Sequence, residues 1–347
     1  MRKTLILMLS VLTVLAVSVG YGQVSSDVFD FETGPGTQSK LAQAGFKFLS
    51  IPAGARQTAL GAAAMTVSDD ANALFWNPAG MAQVANRDVA LNYNKWIAEI
   101  SQQSAAFAIN LGIWGVFGVS AVMMDYGDFY GTRRADNDAG YVDTETFSPS
   151  AFAFGIAYAR QVTDKFSFGA HLKYAKQDLG SSWYVGPDAT LTDAEAQDNA
   201  LGLFAADFGT QFATGFKDLK IGMSVTNFSQ EKKYEEEAFP LPLQLAFGAS
   251  MNLFSLLSEG GPHKLNLAVD ASHPRDFQER LNWGLEYWFM DMIAVRGGYK
   301  MRYDEEDITF GAGVKQDLGP LAGKIDYSFN NFGRFDPVHR VTVGAAF

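Results

Sequence analysis

The chain has 347 residues, of which 27 are basic and 38 acidic, and none is cysteine. The absence of cysteine excludes disulfides, thiolate catalysis and cysteine-ligated metals. The formal net charge of −11 disfavours a nucleic-acid partner, which basic patches would attract. The 34 glycines, 28 phenylalanines and 13 tyrosines are many for a soluble domain and suit a membrane barrel.

A signal peptide is predicted over residues 1–22. Two basic residues precede an uncharged apolar run from Leu5 to Val19, and small residues precede a cut after Gly22. The run is shorter than the roughly 20 residues that a membrane-spanning helix needs. The chain is therefore expected to be exported, and the polar residues 23–45 are expected to form a periplasmic N-terminal tail.

Residues 46–86 are predicted to form a compact plug that contains a small helix. A run of small residues over 59–64 would let the backbone pack closely against another surface. The Ser-Asp-Asp triplet ending at Asp70 can cap a helix over about 70–76. Pro78 would end it, because the residue before a proline is pushed out of the helical region. The plug is too short to bury its own apolar face and must pack against a larger body.

The plug is also the part of the sequence that resembles a known family. In chain order it contains Phe48-Leu49-x-Ile51, Gly54-Ala55-Arg56, Gly61, Asp69-Asp70-Ala71 and Asn77-Pro78-Ala79-Gly80. This ordered set resembles the N-terminal signature of the PorV/PorQ family, which belongs with the FadL-like outer-membrane barrels. The plug-motif residues are Arg56, Asp69, Asp70, Asn77, Pro78 and Gly80. Leu60 departs from the family pattern, which often has Met there, and Gly80 departs from the secretion-linked members, which often have Lys there.

The resemblance implies an outer-membrane barrel that serves type IX-like protein secretion or surface attachment by binding exported proteins. The FadL-like relatives imply an alternative, a channel for small hydrophobic molecules. A plain structural barrel is a third interpretation. A fold of this kind supports all three equally, because function depends on the site and not on the fold.

From about residue 88 the sequence alternates with period two, as expected for strands with one apolar face. The clearest example sets the apolar residues of 243–253 at alternate positions, and the last eight candidate strands carry no charge on the apolar face. We count fourteen candidate strands over residues 87–347, each about ten to thirteen residues long, which suits a tilted membrane crossing.

The predicted loops are asymmetric. The long loops 127–149, 179–199 and 229–241 follow odd-numbered strands, whereas most loops after even-numbered strands are short. Bacterial barrels combine short periplasmic turns with longer outer loops, so both termini are expected in the periplasm. The sequence thus predicts an all-β transmembrane protein, an antiparallel barrel of about 14 strands with an N-terminal plug. It would lie in the lipid of a Gram-negative outer membrane.

The chain ends on an aromatic residue, Phe347, at the end of an alternating apolar strand. A terminal aromatic in this position resembles the signal read by the outer-membrane barrel-assembly machinery. Phe347 is therefore predicted to be an assembly signal, and that machinery is predicted to be a partner.

The strand predicted over Trp114–Tyr126 is apolar on both faces and contains Gly115 and Gly118. In the FadL-like relatives a kinked strand here opens a side exit to the membrane. Interior glycine marks either a bend or a close backbone approach, so two interpretations stay open. One is a lateral opening for a hydrophobic ligand, with Trp114, Phe117 and Met123 beside it. The other is a strand that lies against an apolar plug.

No catalytic, metal-binding or cofactor motif occurs in the sequence. His273 lies near Asp270 and Asp276 and is interpreted as an ordinary loop histidine. The acidic loops could hold Ca²⁺, but they lack a spaced calcium loop and are interpreted as solvated charge. The protein is expected to be no enzyme and to need no cofactor.

Arg56 is the only cation between Phe48 and Asn86. A guanidinium inside a barrel must be paired, because an unpaired buried charge is very costly. The candidate carboxylates are Asp69 and Asp70 in the plug and Asp207, Asp270, Glu286 and Asp326 on the barrel wall. The alternative is an arginine that extends to periplasmic water.

Overall fold

The computed structural model describes residues 43–184, 195–234, 237–257 and 261–347. The predicted signal peptide and almost all of the predicted tail lie outside these residues, as does the centre of the loop predicted over 179–199. Fourteen antiparallel strands close into a single barrel, in which the first strand pairs with the last. The predicted fold class and strand number are confirmed. Among the described helices, none is long and apolar enough to cross a membrane.

We number the barrel strands in chain order. They are β1 (Arg87–Lys95), β2 (Ser101–Asn110), β3 (Val116–Asp125), β4 (Ser150–Gln161), β5 (Phe166–Tyr184), β6 (Glu195–Ala213), β7 (Lys220–Phe228), β8 (Gln244–Asn252), β9 (His263–Pro274), β10 (Arg280–Phe289), β11 (Ile293–Met301), β12 (Ile308–Leu318), β13 (Leu321–Asn330) and β14 (Val338–Ala346). Among the described loop residues, two small hairpins follow β3 and β7. They pair Phe129–Arg134 with Tyr141–Phe147, and Lys232–Lys233 with Ala238–Phe239.

In the period-two pattern of the strands, the apolar residues face outward and the polar residues face the lumen, which is the reverse of a soluble protein. In β1, Leu91 is 57% exposed on the outer face, while Asn92 and Asn94 are buried toward the lumen. A soluble sheet would bury the leucine and expose the asparagines. An apolar outer face around a polar interior is the arrangement that a lipid bilayer selects.

The two ends of the barrel differ as the sequence predicts. Short connections such as 162–165, 290–292 and 319–320 lie at one end, which we call the turn end. The connection of 126–149 and its hairpin lies at the other, which we call the loop end. The barrel closes at the turn end, where Phe347 and Arg87 exchange two backbone hydrogen bonds of 3.0 Å.

The plug contains one α-helical turn, α1 (Ala55–Ala59), and 3₁₀ turns at Lys47–Ser50, Ala71–Phe75 and Pro78–Gln83. The helix predicted over 70–76 is thus a 3₁₀ turn, and its cap is Asp70, whose carboxylate accepts from the Asn72 N–H at 3.0 Å. The turn ends before Pro78, as predicted, and Asn77 is extended. Proline lacks an N–H and favours the first position of a helix, so Pro78 begins the last turn.

The small-residue run of the plug packs directly on glycines of the wall. A Cβ atom at Gly298 of β11 would lie 2.0 Å from the backbone nitrogen of Gly61. A Cβ at Gly284 of β10 would lie 2.6 Å from the carbonyl oxygen of Leu60. Only glycine permits such contact, so the plug backbone lies against the wall without intervening side chains.

The third strand is shorter than predicted. It spans ten residues, Val116–Asp125, and Trp114 belongs instead to a 3₁₀ turn over Gly112–Trp114. The turn is possible because Gly112 and Gly115 adopt positive φ angles of 64° and 87°, which glycine reaches without strain.

Candidate functional site

Arg56 connects the plug to the barrel wall. Its Nε donates to Oε2 of Glu286 at 2.9 Å, and its Nη2 donates to Oε1 at 3.0 Å. Its Nη1 donates to Oδ1 of Asp69 at 2.7 Å. The structure therefore pairs Arg56 with both a wall carboxylate and a plug carboxylate. The two-bond contact with Glu286 fixes the orientation of the plug, because both hydrogen bonds require the guanidinium and the carboxylate to be coplanar.

The Arg56 contact continues along the wall as a network. Glu286 also accepts from Nε of Arg296 at 2.7 Å, and Nη1 of Arg296 donates to Asp326 at 2.6 Å. Glu286 and Arg296 are fully buried. The network joins the plug to β10, β11 and β13. Burial alone would lower the pKa of Arg56, but Glu286 and Asp69 raise that pKa well above its ordinary value, so the guanidinium stays charged.

Asp70 makes a second contact with the wall. Its Oδ2 accepts from Nζ of Lys324 at 2.7 Å, and Lys324 also lies 3.2 Å from Asp88 of β1. Burial acts to raise the pKa of Asp70, but the charges of Lys324 and Arg56 outweigh burial and hold that pKa below its ordinary value. Asp70 is therefore ionised at neutral pH and acts both as a helix cap and as a wall contact.

Asn77 fastens the plug to the opposite side of the barrel. Its amide nitrogen donates to the carbonyl oxygens of Met65, at 3.0 Å, and of Thr210 on β6, at 3.1 Å. A Cβ atom at Gly80 would lie 2.1 Å from the Ser68 carbonyl oxygen. The lysine that the related pattern often places at this position would not fit here, so Gly80 is required by packing.

A chain of buried hydrogen bonds was missed by the sequence analysis. Oγ of Ser120 lies 2.8 Å from Nε2 of His171, and Nδ1 of His171 lies 3.0 Å from Oδ2 of Asp207. Nζ of Lys173 lies 2.8 Å from the same carboxylate. His171 and Asp207 are directly opposite each other in the β5–β6 register, and only a correct register could have predicted their contact.

The hydrogen-bonded side chains of Ser120, His171 and Asp207 have the order of a hydrolase triad. The site has no space for a substrate. The adjoining cavity has a volume of about 40 Å³, room for only a few water molecules. Ser120 is buried, and an acyl substrate would need room on the open side of its hydroxyl. The arrangement satisfies buried polar groups next to the plug.

A cavity with a volume of about 450 Å³ lies at the loop end. The plug contributes Phe48, Phe75 and Trp76 to its lining. Strands β9 and β10 contribute Asp270, Asn282 and Arg280. The cavity thus has an apolar floor and a polar side, and it has room for a small molecule.

The residues beside the predicted lateral opening lie on the outer surface. Phe117 is 42% exposed and Met123 is 55% exposed, and Trp114 is exposed in the turn before β3. All ten residues of β3 pair in register with both β2 and β4, so the described wall has no gap there. A Cβ atom at Gly118 would lie 2.6 Å from Sδ of Met81, which agrees with a strand lying against the plug. The lateral opening stays a prediction.

Among the described residues, no group of three or more histidine, aspartate or glutamate side chains is placed to bind a metal. In the loop before β12, Glu306 contacts Lys300 and Glu305 contacts Arg334 at 2.8 Å. His273 bonds Glu279 at 3.1 Å and not the nearby aspartates.

A closed antiparallel barrel with an apolar outer face and a plugged polar lumen defines an outer-membrane β-barrel. Its fold is similar to that of the toluene transporter TodX of Pseudomonas putida, with a TM-score of 0.52, 11% identity and coverage of 83% of this chain and 96% of that chain. It is also similar to a FadL homologue of Pseudomonas aeruginosa, with a TM-score of 0.53, 11% identity and coverage of 85% and 98%.

The chain belongs to two families, and the model of each matches more than half of the chain. The two matched regions overlap. The families are the uncharacterised protein family UPF0164, over residues 22–231, and the type IX secretion system membrane protein PorP/SprF, over residues 136–344. No curated protein matches the sequence. The predicted barrel superfamily is supported by these findings, and the narrower resemblance to PorV/PorQ stays a prediction.

Proposed function

We propose that this protein is a plugged outer-membrane scaffold of a type IX-like secretion pathway, and that it binds exported proteins at its loop end. The observation that carries the proposal is the fastening of the plug. Arg56 and Asp70 tie it by charged contacts to the wall, and a lumen closed in this way favours binding over free passage. The match to the PorP/SprF model supports the same pathway.

The loop end offers a surface for such a partner. The hairpin strand Tyr141–Phe147 is exposed along its whole length, and Tyr130 on the facing strand is 88% exposed. Exposed tyrosines are enriched at protein interfaces, because their rings supply contact area and their hydroxyls hydrogen-bond. We propose that this hairpin is the main contact with exported proteins.

The test is to purify the tagged barrel from native membranes and identify bound proteins by mass spectrometry. A variant in which a short Gly-Ser turn replaces residues 129–147 should lose the exported proteins while keeping the folded barrel. The matched control replaces the turn 162–165 at the other end and should retain them. The proposal fails if exported proteins are absent from the native sample, or if the genome encodes no secreted proteins that share a C-terminal sorting domain.

The proposal requires the loop end to face the outside of the cell and both termini to lie in the periplasm. Because the chain has no cysteine, an introduced one reports its own position. A cysteine at Asn137 should react with an impermeant maleimide in intact cells, and one at Asp164 should not. Labelling at Asp164 alone would reverse the topology.

A second candidate function is a channel for small hydrophobic molecules. The apolar floor of the loop-end cavity, with Phe48 and Phe75, favours it, as does the fold likeness to a toluene transporter. Lateral release past β3 would require the Val119–Ile156 pairing to open. A disulfide between cysteines at these two positions should then abolish uptake of a labelled aromatic hydrocarbon. Uptake that is unchanged by the disulfide would remove this route.

A further inference from the structure

The polar side of the loop-end cavity holds a buried carboxylate that is only half satisfied. Asp270 is 2% exposed, and its Oδ2 accepts from the backbone N–H of Met65 at 2.8 Å. Its Oδ1 has no hydrogen-bond partner among the described residues. A buried carboxylate oxygen without a donor is costly, so this position favours a ligand that donates hydrogen bonds and carries positive charge.

The same side of the cavity holds a cation without a carboxylate partner. The guanidinium carbon of Arg280 lies 4.6 Å from the centre of the Phe277 ring and 4.2 Å from that of Tyr303. Within the described part of the chain, Nε of Arg280 has no hydrogen-bond partner. Stacking fixes the plane of the guanidinium and leaves its donors available, and a planar fork of donors suits a carboxylate.

The sheet register brings these two groups close together. Asp270 of β9 is directly opposite Asn282 of β10, and Arg280 lies two residues away on the same face of β10. Diagonal neighbours of this kind have Cα atoms about 7–8 Å apart. Oδ1 of Asn282 also lacks a partner among the described side chains, so it adds a second acceptor between the two charges.

The other charged groups that line the cavity already have partners. Lys47 bonds Asp276 at 2.8 Å, and Lys300 bonds Glu306. Of the described lining residues, the carboxyl group of Asp270 and the guanidinium of Arg280 are left without an ionic partner. A neutral hydrocarbon would satisfy neither of them, whereas a ligand with both charges would satisfy both.

The remaining lining is aromatic and the volume is small. Phe75, Trp76, Trp96 and Tyr126 face the cavity, and about 450 Å³ lies within the range of small-molecule sites. We propose that the loop-end cavity binds a small zwitterion with an apolar body, the chemistry of a free amino acid with an apolar side chain. Its ammonium group would contact Asp270 and Asn282, and its carboxylate would contact Arg280. This goes beyond the scaffold function and does not depend on it.

The first experiment measures ligand binding to the purified, folded barrel by tryptophan fluorescence, because Trp76 and Trp96 line the cavity. The probes are L-phenylalanine, which carries both charges, phenethylamine, which carries only the positive one, 3-phenylpropanoate, which carries only the negative one, and toluene, which carries none. L-Phenylalanine should bind at least about tenfold more tightly than either singly charged probe. Equal binding of toluene and L-phenylalanine would overturn the proposal, and so would no binding of L-phenylalanine at about 10 mM.

The second experiment separates the two charges. Asp270→Asn should weaken the binding of L-phenylalanine and phenethylamine about tenfold and leave the binding of 3-phenylpropanoate unchanged. Arg280→Gln should weaken the binding of 3-phenylpropanoate about tenfold and leave the binding of phenethylamine unchanged. The control Lys264→Gln removes an exposed pair with Asp291 and should change nothing. Parallel loss of all probes in both variants would contradict the assignment. If either variant fails to fold, the probe series on the native barrel still decides.

Discussion

At the scale of single residues, Arg56 is the side chain on which the position of the plug most depends. Arg56→Ala leaves the buried Glu286 with Arg296 as its remaining ionic partner, so we expect a loss below the about 3–5 kcal/mol that removal of the sole partner of a buried charge costs. We expect a loosened plug inside an intact barrel. The measurements are antibiotic leakage and protease cleavage near Gly54. Lys264→Ala, which breaks an exposed pair, is the control, and unchanged leakage in both variants would refute the role of Arg56.

Asp70 gives the plug a defined dependence on pH. Its pKa in the folded protein lies below its ordinary value, because the Lys324 and Arg56 charges outweigh burial. A carboxyl group of this kind stabilises the fold above its unfolded pKa and loses that contribution as pH falls through the folded pKa. Protease resistance of the plug should therefore be constant from pH 7 to about 5 and fall below about pH 4. Asp70→Asn should show weaker resistance at pH 7 and a smaller fall in acid.

The sequence predicted that Arg56 needs a carboxylate but did not identify which one. Four wall acids have the inward parity of their strands, and only the register and the plug position place Glu286 within reach. The contact between His171 and Asp207 was missed for the same reason, because a side chain's face is readable from alternation but its cross-strand neighbour is not.

At the scale of elements, the glycines of the wall decide how close the plug can lie. Gly298→Ala would place a Cβ atom 2.0 Å from the backbone of Gly61, and overpacking of this kind costs about 1–3 kcal/mol. We expect a displaced plug and easier proteolysis. The neighbouring Gly297 is the matched control, since its nearest atom is 3.9 Å away and alanine should fit. Equal sensitivity of the two variants would contradict the close contact.

The strands were predictable because successive side chains of a strand point to opposite faces of the sheet, so apolar and polar residues alternate along it. The short turns of the plug were not. A proline after an asparagine marks the end of one turn as readily as the start of the next, and here Asn77 caps the turn that Pro78 begins. Trp114 is apolar enough for a strand, but the positive φ angles of its neighbouring glycines divert it into a turn.

At the scale of the whole molecule, Phe347 joins the two ends of the sheet. Its backbone bonds belong to the closing seam with Arg87, whereas its ring is exposed. Phe347→Ala keeps the backbone bonds and removes the ring, so we expect low outer-membrane yield and an unchanged melting temperature in the barrels that assemble. Phe347→Tyr should restore the yield. A normal yield for Phe347→Ala would count against an assembly signal.

The contacts of the plug are unequal around its circumference. Charged pairs hold it to β10 and β13 through Glu286 and Lys324, whereas uncharged bonds such as Asn77 to Thr210 hold it to β6. Neutral hydrogen bonds between protein groups exchange readily with water, while a buried ion pair resists separation. Under a pulling force we expect the plug to detach from β6 first and to rotate about the salt bridges on the other side of the barrel.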